Sequence, residues 1–145
     1  MVTRRTDPAE GRAALAAWAS APEGATRPVL APAVRHTLEL FAEEHPGGAV
    51  ELRVPPYAAV QAIPGMRHTR GTPPAVVETD AATWLALVTG DVDWADAVAS
   101  GRVRASGERS DLSDLLPLPG PRRTARTARA AEGTGGADGT DGGTA

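Results

Sequence analysis

The sequence has no cysteine and no lysine. The first absence excludes a disulfide framework, a thiolate nucleophile and a Cys-ligated metal, and nothing marks an oxidising compartment. The second leaves all 15 basic residues as arginine, which together with abundant Ala and Gly reads as the codon usage of a high-GC genome. Aromatic residues make up only 3% of the chain, with Phe41 and Tyr57 as single occurrences beside three Trp, so a core must be built from Leu, Val and Ala around a few large anchors. An excess of positive charge is also missing. A net charge of −3 removes the sequence-independent attraction to phosphate, and no nucleic-acid partner is expected. There is no long apolar run either: Arg4 and Arg5 are followed by Asp7, Glu10 and Arg12, so neither a signal peptide nor a membrane span is expected. The expected location is the cytoplasm.

The 145 residues that are present suit one globular domain, with 41% hydrophobic against 23% charged content. Residues 7–20 read as a helix, with Asp7 placed to accept first-turn amides and Pro8 at a position where a missing donor costs nothing. Residues 22–32 read as a Pro- and Gly-containing connection. Val34, Leu38 and Phe41 then repeat at helical spacing over residues 33–45. Strict alternation in residues 49–54, with Val50, Leu52 and Val54 against Glu51 and Arg53, predicts a strand covered on one face. Further extended runs are expected from Tyr57 to Ile63 and from Ala75 to Glu78, separated by a loop over residues 64–74.

Punctuation is clearest in residues 80–118. Asp80 is placed to cap a helix carrying Trp84, Leu85, Leu87 and Val88, and Gly90 follows its end. Asp93 and Asp96 have capping-box spacing before a helix with Trp94, Ala97 and Val98 as its buried stripe, closed by Gly101. Residues 102–106 alternate with Val103 and Ala105 inward. Ser110 or Asp111 then precedes an apolar helix with Leu112, Leu115 and Leu116, stopped by Pro117. Beyond Leu118 the only hydrophobic residue is Ala, and Arg122, Arg123, Arg126 and Arg129 lead into a Gly, Thr and Asp tract. Such composition predicts a disordered tail.

The run WLALVTGDVDWADAVASGRVRASGERSDLSDLLPL, with the preceding VELRVPPYAAVQ and HTRGTPPAVVETD, resembles the bacterial branch of sterol-carrier-type domains. The resemblance implies an α+β fold in which helices pack on one face of a largely antiparallel five-stranded sheet, with an apolar cavity between the layers. It also implies a binding module for sterols, acyl chains or other lipids. On this reading residues 1–29 are an N-terminal helix and linker, 30–118 the sterol-carrier-like domain, and 119–145 the tail.

Candidate site residues divide into two groups. Arg67, His68 and Arg70 lie close together in the loop at 64–74, where guanidinium groups can orient a carboxylate or phosphate, or where Arg70 can simply pair with Glu78 or Asp80. Arg53, Tyr57 and Gln61 are polar positions on adjoining extended segments that can line the same opening. The second group, Trp84, Leu87, Val98, Leu112 and Leu116, is either cavity lining or core. No cofactor and no metal are expected: Asp91, Asp93 and Asp96 lack the loop length, Gly and Glu of a calcium loop, and the three His have no ligand spacing. No nucleophile elbow or phosphate loop is written in the chain. Thiol-dependent isomerases join a metal-binding helical bundle to a domain of this type, and no such bundle is written here. The expected activity is binding without catalysis, of an apolar ligand or, alternatively, of a protein partner.

Overall fold

The computed structural model describes residues 5–65, 75–107 and 109–135. Helix α1 (Pro8–Ser20) starts as its sequence dictates, with the Asp7 carboxylate accepting from the Glu10 amide at 3.3 Å. A short 3-10 turn (Pro22–Gly24) leads directly into α2 (Arg27–Glu44). The connection expected over residues 22–32 is therefore half as long as its prolines suggest. Pro28 stands in the first turn of α2, where no intrahelical donor is missed, and Pro32 follows only one turn later.

Strands β1 (Val50–Val54) and β2 (Ala58–Ala62) form an antiparallel hairpin in which Val50 faces Ala62 and Val54 faces Ala58. Strand β3 (Ala75–Thr79) lies parallel to β1 on its other side, and β4 (Val103–Ser106) closes the sheet antiparallel to β3. The order is β2-β1-β3-β4. Among the described residues the sheet is thus four-stranded and mixed, in place of the five-stranded, largely antiparallel sheet implied by the resemblance. The central pair is parallel because β2 ends and β3 begins at the same end of β1, Val50 facing Ala62 on one side and Ala75 on the other. Alternate burial along β1 and β3 confirms that only one face is covered.

Helix α3 (Ala81–Thr89) follows β3 at once. Asp80 accepts from the Thr83 amide at 2.8 Å and from its hydroxyl at 2.9 Å. Gly90 ends the helix in a left-handed conformation (φ 87°) that a side chain would disfavour, as the sequence predicts. Helix α4 (Trp94–Ala99) also starts where expected, but the Asp93 side chain makes no capping bond. Of its expected buried stripe only Ala97 is buried. Val98 is 40% exposed, and Ala105 on β4 likewise faces solvent. The apolar helix expected after Ser110 is a single 3-10 turn (Ser113–Leu115), with Asp111 accepting from the Ser113 amide.

The tail expected from residue 119 is instead helix α5 (Pro119–Gly135) as far as the described residues reach; residues 136–145 lie outside them. Pro121 and Ala125 are buried and Ala128 packs against the core, while Arg122, Arg123 and Arg126 face outward. Helix α5 rests on α1 and α3, and α1 rests on α2. The apolar surface that orders α5 is supplied largely by its neighbours, and α5 itself contributes only the small side chains of Pro121, Ala125 and Ala128 to the contact.

One core runs through all of this. Phe41 and Trp84 meet edge to face at 5.8 Å between ring centres, joining α2 to α3. The Trp84 indole donates to Thr37 Oγ1 at 2.8 Å, and that hydroxyl in turn donates to the Ala33 carbonyl at 2.8 Å. Leu38, Leu52, Leu85, Leu87 and Leu112 are essentially inaccessible around them.

Candidate functional site

The layer between helices and sheet, where the resemblance places a cavity, is occupied by side chains. Trp84, Leu87 and Leu112 are 0%, 1% and 0% exposed and belong to the continuous core. Close packing of this kind removes the contacts a ligand would use. Leu116 is half-buried and shares a shallow depression of about 370 Å³ with Leu87, Trp94, Pro117 and Arg122, while Val98 stands apart on the surface.

The polar candidates separate as well. Arg53 points away from the helices and holds Glu51 through Nε and Nη2 at 2.8 and 3.1 Å. Its guanidinium keeps the Glu51 carboxyl below the ordinary range. Gln61 faces Glu51 across the hairpin on the same open side. Tyr57 does not join them: it packs against the core, and its carbonyl accepts from Arg35 of α2 at 3.3 Å. Because Pro55 and Pro56 turn the chain between β1 and β2, Tyr57 leaves the open face that Arg53 occupies. Arg67, His68 and Arg70 lie outside the described residues.

A cleft that the sequence did not point to opens where α1, α2 and α5 meet, with a volume of about 450 Å³. Leu15, Leu40 and Pro121 give it apolar walls, and His36 faces it from α2. Helices α1 and α2 touch at Gly11, where a Cβ would run into the His36 side chain, so the glycine lets α2 approach and sets the imidazole at the cleft floor. Neither ring nitrogen of His36 has a hydrogen-bond partner among the described residues. Burial holds the His36 pKa below its ordinary value, the positive charge of Arg12 lowers it further, and Glu39 and Glu43 oppose both effects.

Both carboxylates of this cleft are engaged. Glu39 accepts from the Thr6 amide at 3.1 Å and from its hydroxyl at 3.4 Å, and Glu43 pairs with Arg5. Arg12 and Arg123, which also line the cleft, form no ion pair among the described residues. The site therefore offers apolar walls and two guanidinium groups that no described carboxylate holds, a combination suited to an amphipathic anion. The signal was available only in part: Arg12, Leu15 and His36 are visible in sequence, but the third wall comes from residues read as a tail.

Asp91 has a structural partner in place of a metal. Its two oxygens accept from Arg129 of α5 at 2.7 and 2.6 Å, while Asp93 occupies the position before α4.

One helical layer over the covered face of a mixed sheet, a closed core between them and a lipped cleft at the helix junction define a small α+β domain of the helix-over-sheet class. A family model described as bacterial SCP ortholog matches residues 26–118, and the chain belongs to that family of sterol-carrier-like domains. No match was found among curated proteins. The matched segment holds α2, the sheet, α3 and α4; α1 and α5 lie outside it, so two of the cleft's three walls do too.

Proposed function

We propose that the protein is a non-catalytic, cytoplasmic binding module that holds an amphipathic ligand, an acyl chain or comparable apolar body ending in an acid group, in the cleft between α1, α2 and α5. The observation that carries this reading is the combination of apolar Leu15, Leu40 and Pro121 with the guanidinium groups of Arg12 and Arg123, unpaired among the described residues, in one space of about 450 Å³. That volume falls within the range of small-molecule sites, roughly 300–1,000 Å³. Membership of a sterol-carrier-like family supports lipid as the ligand class. The ligand position differs from the one the resemblance implies, because the interlayer space is filled by Trp84, Phe41 and Leu52.

Native mass spectrometry and lipid extraction of the purified protein should return one amphipathic anion per chain, and Arg12→Glu should abolish its retention. A wild-type protein that stays empty against a panel of fatty acids and phospholipids, with no change in Trp fluorescence, would refute the reading. The same filled interior favours a second reading, an accessory module that binds another protein and uses the fold as a rigid scaffold. Recovery of the protein alone and monomeric under gentle purification would count against that one.

A further inference from the structure

Three arginines of α5, at positions 122, 123 and 126, border one surface depression of about 350 Å³ together with Pro117 and Pro119. All three are exposed, and none forms an ion pair or side-chain hydrogen bond among the described residues. The fourth arginine of the helix, Arg129, is the one consumed by Asp91. Asp93 lines the adjoining depression together with Arg122, and the two form no ion pair.

This arrangement is unfavourable as it stands. Arg122 and Arg126 are four apart and Arg123 and Arg126 three apart, so like charges face one another along the helix. The three occupy the N-terminal half of a 17-residue helix whose first turn carries no acid, the end where positive charge is least welcome. A solvating role would be served as well by alternating signs. Three arginine side chains lining one depression suit an oxyanion with several acceptor oxygens, and a bidentate fork matches phosphate geometry.

We propose that Arg122, Arg123 and Arg126 form a binding site for a phosphate group, distinct from the apolar cleft although Arg123 borders both. The prolines at 117 and 119 fix the chain entering the helix, so the site is set by rigid backbone on one side and by three long side chains on the other.

The test uses the full chain and the variant R122Q/R126Q, which leaves Arg12 and Arg123 of the cleft untouched. One arm titrates inorganic phosphate at low ionic strength by NMR; the other floats the protein with vesicles of phosphatidylcholine containing phosphatidic acid, against phosphatidylcholine alone. Saturable phosphate binding that weakens by about tenfold per guanidinium removed, the change equal to one charge-assisted hydrogen bond, supports a site for free phosphate. Binding only to phosphatidic acid vesicles, lost in the variant and at high salt, supports the same site reading a lipid headgroup. Binding in neither arm, or binding that the variant retains, overturns the proposal. The single variants R122Q and R126Q, each on an exposed side chain, cover a failure of the double variant to fold. Retention of an acyl ligand by R122Q/R126Q separates this outcome from that of the cleft.

Discussion

Arg129 closes both terminal nitrogens on the carboxylate of Asp91, 38 residues earlier, at 2.7 and 2.6 Å. Its Nε donates to the Ala19 carbonyl at 3.2 Å and its guanidinium lies 5.9 Å over the Trp18 ring. One side chain thus ties α5 to the end of α1 and to the turn after α3, and hydrogen bonding to Asp91 raises the Arg129 pKa.

A double-mutant cycle on Arg129→Ala and Asp91→Ala should give a coupling of about 1 kcal/mol, the upper end for a partly exposed bidentate pair, and less at high salt. Arg129→Ala alone should cost more than Asp91→Ala, since it also removes the cation-π contact and the bond to Ala19. Equal single-variant costs in urea unfolding would contradict this assignment.

Thr37→Val keeps the shape of a buried side chain and removes the acceptor of the Trp84 indole. Leaving a buried N–H unsatisfied costs about 1–3 kcal/mol. Thr37→Ser, which keeps the hydroxyl, should cost clearly less. Chemical denaturation of the two variants side by side measures the difference.

Gly11→Ala places a methyl group against the His36 ring. Forcing α1 and α2 apart should cost about 1–3 kcal/mol, as overpacking does. Shortening the partner in Gly11→Ala/His36→Ala should recover part of that loss. Strictly additive effects would mean that the two residues do not set the helix spacing.

The folded protein holds His36 below the pKa it has in the unfolded chain, so as pH falls the unfolded state takes up the proton first. Stability tied to neutral His36 is complete above about pH 6.5 and is lost as pH drops toward the folded value. The melting temperature should therefore decline between about pH 7 and pH 5, and His36→Gln should flatten that slope. Glu51 and Asp111, lowered by Arg53 and by the Ser113 amide, act in a more acidic window and would remain in the variant.

What the sequence disclosed follows from how local each signal is. The caps at Asp7 and Asp80, the left-handed Gly90 and the alternation of β1 depend on residues within one turn or one strand, and each is observed. Asp93 has the same spacing as those caps and is exposed as they are, yet its side chain makes no capping bond, so spacing alone does not secure the contact. Val98 sits at a helical interval from Trp94, yet α4 is too short and too peripheral to bury a full stripe. Helix α5 escaped because its own apolar content is almost nil; the surface that holds it belongs to α1 and α3. The cleft escaped with it, since a site made from three separate helices has no spacing in the chain.

Leu118 is the last residue of the family match, and it is 1% exposed, with its amide donating to the Val88 carbonyl at 3.0 Å. Helix α5 begins at the next residue, and the Arg122 amide bonds back to Leu118. The border of the family match therefore runs through the interior of the folded unit. A gene fragment cut at 118 would end inside the core and bare the flank of Trp18, so expression boundaries, tags and fusion joints belong beyond residue 135.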